Sequence, residues 1–493
     1  MALGIDFGTT RTIVAVADRG NYPVIDFYDA ADDPHDYFPS VAADREGQLV
    51  FGWDAEAAAA EHKPVLRSFK RLLADADARP DTRLRVGSIE VSLLELLTQF
   101  CRALMTALRT RSTLPNQSPG APEVAIAVPA HARSAQRFLT LEAFRTAGFV
   151  VRAMLNEPSA AGFEYTHRQP RSITSRRTRV IVYDLGGGTF DASAVRVEGT
   201  HHLVEDTAGI NRLGGDDFDL ALAQLAATRA GTDFDQLDAL AQDTLIDEAR
   251  DCKERISPQT KRLVLEVAGE PVTLAVDDFY WAASPLVDAT MDAMDHLVAS
   301  FDSPDSSDIA GIYLVGGASQ LPLVARTLRG RFGRRVHRSP LPAASAAIGL
   351  AIAVDPMADY SLRDQLSRGF GVFRELNAGR ETSFDPIFDR SAVPGAGTLI
   401  RRYRAAHTVG WFRFVEYSSL GAGGEPQGDI VPLAEVRFPF VGDLTRSELA
   451  RWPVEPLDTA PLVEERYTVD DSGLVQVEIV NLDGGYRRRF TLS

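Results

Sequence analysis

Short stretches of alternating apolar and polar residues, each closed by a glycine turn, recur over the first 355 residues between longer segments of helical period. Alternation over residues 12–17 and 192–197 predicts the second strands of two hairpins. Each is preceded by an apolar strand, an aspartate and a glycine turn bearing hydroxyls, Gly4-Ile5-Asp6-Phe7-Gly8-Thr9-Thr10 and Tyr183-Asp184-Leu185-Gly186-Gly187-Gly188-Thr189. Such a repeat indicates duplicated architecture. Helical period predicts helices over residues 54–61, 93–109 and 133–147, the last stopped by Gly148. Residues 115–122, rich in Pro and Ser, break the pattern, and strands follow over 124–128 and 150–155. Pro158 opens a helix running through Tyr165, Gly214-Gly215 opens another, and a long helical region carries residues 247–256. Strand 312–315 ends in a third glycine turn, Gly316-Gly317. Strand, turn and helix in alternation predict mixed α/β layers with ligand at the strand ends.

Beyond residue 355 the helical period fades. Alternating segments at 408–417, 435–440, 467–469, 475–480 and 486–492, separated by turn clusters, predict a separate β domain. A polar connector near residues 357–368 joins it to the rest. We therefore expect a domain over 1–356, a linker over 357–369 and an all-β domain over 370–493.

Composition narrows the function classes. At 493 residues the chain is too long for one core, and 45% hydrophobic with 24% charged residues reads as globular. A net charge of −16 argues against nucleic acid or an anionic membrane as partner, since phosphates need a basic face. The arginine runs at 171–179 and 487–489 are short and read as solvated surface. Cys101 and Cys252 lie far apart with no metal-ligand spacing, so neither a disulfide framework nor structural zinc is expected. The most apolar window, residues 343–354, is too short to span a bilayer, and no export signal precedes Asp6. Cytoplasm is the expected compartment.

The twin hairpins suggest the chemistry. Turns without Cβ atoms let backbone N–H groups approach phosphate oxygens, and Thr9, Thr10 and Thr189 add donors. One hairpin on each side would enclose a triphosphate. Asp6 and Asp184, placed where strand becomes turn, would then face a hydrated Mg²⁺, a hard ion that keeps several waters. No G-x-x-x-x-G-K-[ST] string occurs, which argues against a P-loop enzyme.

In chain order, the first hairpin, Arg67-Ser68-Phe69-Lys70-Arg71, Ala127-Val128-Pro129-Ala130, Asn156-Glu157-Pro158-Ser159-Ala160-Ala161, the string from Asp184 to Asp191, Gly214 to Asp219 and Leu314 to Gly317 resemble the DnaK-type heat-shock chaperones. The final hairpins resemble that family's β-sandwich peptide-binding domain less closely. The resemblance implies an α/β, actin-like ATPase domain of two lobes, built on a duplicated mixed sheet, followed by an all-β sandwich-like domain. It implies ATP/ADP and Mg as cofactors, with Asp6 and Asp184 at the metal. Lys70 matches the lysine that orients the attacking water, Thr189 the γ-phosphate contact and Asp191 a support of the water and metal network. Glu157 joins them, placed where a helix N-terminus favours a carboxylate. Gly8, Thr9, Thr10, Gly186, Gly187, Gly188, Gly214, Gly215, Lys253, Ser257, Gly316 and Gly317 match nucleotide-binding positions, and Pro129 and Arg137 the interdomain relay.

The chain also departs from the pattern. Arg250 stands where the family has a glutamate, and Ala318 and Gln320 replace a hydroxyl or polar residue and an arginine. Losing an arginine plane that could stack on adenine should weaken that face. The connector lacks the family's leucine run ending in aspartate, so coupling is expected to be weaker or built differently. The sequence closes after the last predicted strand, so no helical lid is expected and bound peptide should leave quickly. The leading expectation is an ATP-dependent chaperone-like ATPase that binds extended, unfolded polypeptide clients through its β domain. J-domain co-chaperones and nucleotide exchange factors are candidate partners; nucleic acid and membrane are not. The alternatives are a nucleotide-regulated scaffold or filament protein with weak hydrolysis, and an actin-fold sugar or metabolite kinase.

Overall fold

The computed structural model describes residues 2–492 apart from 115–119, 170–171, 300–307, 364–365, 367, 378–379, 442–448, 450 and 453. Parts of the stretch 115–122, the arginine run 171–179 and the connector 357–369 thus lie outside the described residues. The chain forms two units: residues 1–74, 80–131 and 143–362 in the first, and 75–79, 132–142 and 363–493 in the second.

The first unit holds two mixed sheets of matching plan. In the five-stranded sheet the order is Val150–Asn156, Glu123–Val128, Ala2–Phe7, Arg11–Val16, Phe38–Pro39. Ala2–Phe7 turns back antiparallel into Arg11–Val16 and runs parallel to Glu123–Val128. The six-stranded sheet repeats this: Arg179–Leu185 turns back into Phe190–Glu198 and runs parallel to Ile309–Val315. The sequence repeat is therefore a repeat of topology. Both leading strands are buried on both faces, which explains their near-continuous apolar character. The apolar window of residues 343–354 forms the buried helix Ser345–Ala353. Among the described residues no helix is long and apolar enough to cross a membrane, and both cysteines are free.

The helices fall close to their expected bounds: Trp53–Ala60, Leu93–Thr110, Ser134–Ala147, Glu157–Arg168, Gly215–Arg229 and Ala239–Glu254. Ser92 caps the second of these by accepting from the Glu95 amide at 3.3 Å. Residues 65–74 divide into a short strand, Val65–Arg67, and a 3₁₀ helix, Phe69–Ala74. The start of the connector, Ser361–Arg363, forms the outer strand of the six-stranded sheet beside His201–Ile210.

In the second unit, two four-stranded antiparallel sheets share one core. One runs Glu381–Phe388, Gly369–Leu376, Val409–Tyr417, Val431–Pro439, and the other Thr398–Arg404, Leu462–Val469, Val475–Asn481, Arg487–Leu492. The strands Gly369–Leu376, Glu381–Phe388 and Thr398–Arg404 were not apparent from alternation. The core also carries charge: Arg374 meets Glu465 through two bonds of 2.7 Å, and the Tyr467 hydroxyl donates to Glu465 at 2.5 Å.

Candidate functional site

Both hairpins present their turns to one cavity of about 1150 Å³ in the first unit, and Asp6 and Asp184 both line it. The hairpins touch through glycine. A Cβ on Gly188 would stand 2.7 Å from Thr9 Oγ1 and 2.8 Å from Thr9 Cγ2, so only a residue without one lets the turns approach this closely. Gly316, at φ 83°, holds a left-handed turn whose Cβ would collide with the Asp184 carboxylate. Gly215 N donates to Gly186 O at 2.9 Å and Asp216 N to Gly187 O at 2.8 Å, tying the start of helix Gly215–Arg229 to the second hairpin.

Lys70 reaches the cavity from the 3₁₀ helix. Ser68, at φ 52°, turns the chain into it and donates to Asp216 Oδ2 at 2.7 Å. Phe69 packs against Phe7 and Phe100 at centroid distances of 6.2 and 5.3 Å, fixing the turn from behind. Lys70 Nζ then donates to Glu157 Oε1 at 2.6 Å, with both side chains buried. Glu157 opens its helix, with Pro158 in the first turn and Asn156 extended before it. Asp191 lies behind the cavity wall and accepts from the Ala130 amide at 2.9 Å.

These groups form an electrostatically strained set. Burial, then the Glu157 charge, raises Asp6 to about 7 against the pull of Lys70. Burial and Glu157 likewise raise Asp191 to about 7. Burial, with Glu157, Asp6 and Asp191, pushes Asp184 well above the usual carboxylate range. Burial alone would depress Lys70, but Glu157, Asp6 and Asp191 outweigh it and its pKa is raised. One ammonium among four carboxylates leaves the set short of positive charge. Among the described residues no cluster of three or more His, Cys, Asp or Glu is placed to hold a metal by itself. A small hard cation that keeps several waters needs only one or two carboxylates together with phosphate oxygens. Asp6 and Asp184 fit that demand.

Of the other expected residues, Gly8, Thr9, Thr10, Gly186, Gly187, Thr189, Gly215, Lys253, Ser257, Gly316 and Gly317 line the cavity. Gly188 and Gly214 lie behind it, Gly214 packed on the Gly187 and Gly188 backbone. Pro129 and Arg137 are outside the lining; Arg137 is buried, in a stretch that belongs to the second unit. Lys253 donates to Gly215 O at 2.8 Å and pairs with Asp219 at 2.5 Å. Arg250 pairs with Asp247 at 2.8 Å and with Asp219 at 3.3 Å, so its charge is compensated. Ala318 and Gln320 line the cavity beyond the third glycine turn.

Several arginines at the site have no role assigned from the sequence. Arg11 pairs with Glu254 at 2.5 Å, and Arg71 pairs with Asp217 at 2.5 Å and donates to Gly188 O at 3.3 Å. Arg326, Arg329 and Arg338 also line the cavity. Only the spacing of Arg326 and Arg329, one turn apart on a helix face, left a trace in the sequence.

Paired mixed sheets closing glycine turns over one carboxylate-bearing cavity define an α/β protein with a two-sided site suited to a phosphate-rich ligand and a hard cation. The family model described as Hsp70 protein matches residues 2–359, and the chain belongs to the Hsp70 family. It is 32% identical over 397 residues to the chaperone protein HscA of Serratia proteamaculans (strain 568), covering 76% of this chain and 62% of the relative. Against HscA of Enterobacter sp. (strain 638) it is 33% identical over 374 residues, 72% of this chain and 58% of that one. HscA of Cronobacter sakazakii (strain ATCC BAA-894) is 34% identical over 375 residues, with the same two shares of 72% and 58%. The chain thus spans about three fifths of the length of these curated relatives.

Proposed function

We propose that this protein is an ATP-dependent chaperone-type ATPase. Its first domain, 1–356, would be an actin-like, two-lobed nucleotide-binding domain; 357–369 would be the linker, and 370–493 a β-sandwich that binds extended, unfolded polypeptide. The observation that carries this reading is the single cavity lined by Asp6, Lys70, Glu157 and Asp184 between two glycine hairpins. The hairpin amides, with Thr9, Thr10 and Thr189, receive the β- and γ-phosphates. Asp6 and Asp184 would hold Mg²⁺, which would supply charge neutralisation at the transferred phosphoryl group. Lys70, oriented by Glu157, holds the attacking water in line, and Asp191 fixes the floor of the water network through Ala130. Phosphoryl transfer needs this positioning and charge neutralisation more than covalent help. Lys253 and Ser257 face the nucleoside, while Pro129 and Arg137 relay nucleotide state. A strand-like client would be held by main-chain hydrogen bonds and small pockets. J-domain co-chaperones and exchange factors are the expected partners, in the cytoplasm.

Single-turnover hydrolysis of Mg·ATP, with and without an unfolded peptide, tests the proposal. Peptide-stimulated turnover is the expected result. A phosphorylated sugar product would replace the reading with a kinase, and ATP-driven assembly without turnover would replace it with a scaffold.

A further inference from the structure

Past the Gly316-Gly317 turn, Arg326, Arg329 and Arg338 converge on the same cavity. Arg326 and Arg329 share a face of helix Pro322–Phe332, and Arg338 ends the neighbouring strand Val336–Arg338. Acidic residues outnumber basic ones 68 to 52, so an arginine here would readily find a carboxylate. Among the described residues these three, all exposed, form no ion pair. Of the carboxylates lining the wall, Glu254 is held by Arg11 at 2.5 Å and Asp219 by Lys253 at 2.5 Å, while Asp277 lies on the wall near Tyr280. Arg326 instead lies over the Tyr280 ring at 4.9 Å, and Arg338 reaches only Ser319 O, at 3.5 Å, the limit of hydrogen bonding. Burial and the like charge of Arg329 lower the Arg338 pKa from its ordinary value.

We propose that Arg326, Arg329 and Arg338 form an anion subsite at the nucleoside end of the cavity, which accepts a phosphate group beside or on the bound nucleotide. The inference rests on the nucleotide reading above. Guanidinium groups offer forked donors that match phosphate geometry. At about 1150 Å³ the cavity exceeds the ~300–1,000 Å³ usual for small-ligand sites, which leaves room for the extra group. The phosphate comes either on the ribose of the nucleotide or as a free anion bound next to it.

Titration calorimetry on the full chain with Mg²⁺ tests this. The ligands are ATP, adenosine 3′-phosphate 5′-triphosphate, and ATP in 10 mM inorganic phosphate, each against wild type and the triple variant Arg326→Gln/Arg329→Gln/Arg338→Gln. A ribose-linked source predicts that the 3′-phosphorylated nucleotide binds wild type at least tenfold tighter than ATP, falling to within twofold in the variant. A free-anion source predicts instead that inorganic phosphate tightens ATP binding by a similar factor, again only in wild type. The ratio within each protein is the readout, so a general weakening of the site cancels. Equal affinities in wild type, or a preference that survives in the variant, overturn the subsite alone. Failure of wild type to bind any of the nucleotides overturns the nucleotide reading and the subsite with it.

Discussion

Lys70 offers the sharpest test because its electrostatic and catalytic contributions can be separated. Its ammonium is buried, 2.6 Å from Glu157, and Asp6 and Asp191 also stabilise its charge. Lys70→Met removes the charge but keeps most of the volume, stranding Glu157 in a buried site. Breaking a buried pair from one side costs about 3–5 kcal/mol, which for a unit of this size lowers Tm by roughly 4–7 °C. Lys70→Met/Glu157→Gln removes both charges and should recover most of that loss, since neutralising a buried pair as a whole is often nearly neutral. Hydrolysis should behave differently. If Lys70 positions the water, turnover falls about 10²–10³-fold or more, as for loss of one preorganised donor, and the double variant does not restore it. Calorimetric melting, single-turnover hydrolysis and ATP affinity on all four members of the cycle separate the two effects. Turnover within about threefold of wild type in a folded, ATP-binding Lys70→Met protein would sink the assigned role.

Three further outcomes follow from the geometry. Asp6 and Asp191 titrate near 7 in the folded protein but near 4 when unfolded, so the unfolded chain releases these protons first. Without metal and nucleotide, stability should fall as pH rises from about 4 to 7, with a ceiling of ~4 kcal/mol per group. Asp191→Asn should flatten that slope in melts run with chelator, and an unchanged slope counts against the electrostatics. Gly188→Ala places a methyl 2.7 Å from Thr9 Oγ1, so ATP affinity should drop at least tenfold with little change in Tm; unaltered affinity would mean that the hairpins part easily. In the second unit, Arg374→Met leaves Glu465 buried with only tyrosine donors, at a cost of about 3–5 kcal/mol. Hydrogen exchange should show faster opening of Glu381–Phe388 and Leu462–Val469, and unchanged protection would contradict the cost.

The primary structure determined what depends on local spacing: the two aspartate hairpins, the helix opened at Glu157-Pro158, the glycine turns and the shift to all-β character beyond residue 355. Alternation and glycine placement report backbone shape over a few residues, and they stand out wherever one face is buried. Three strands of the second unit, Gly369–Leu376, Glu381–Phe388 and Thr398–Arg404, did not stand out. Gly369–Leu376 is buried over its first four residues on both faces, Glu381–Phe388 carries Pro386 and few buried positions, and three arginines interrupt the apolar residues of Thr398–Arg404, so none shows a clear period of two in the sequence, and pairing with distant strands stabilises them. The cavity shared by Asp6 and Asp184 was expected from the paired hairpins, but tertiary structure alone decided that Lys70 meets Glu157, 87 positions away. It also decided that Glu254 is held by Arg11 while Arg326, Arg329 and Arg338 are left facing the ligand space. Charge pairing acts through space over a few ångströms, and only the closed chain determines which groups come that near.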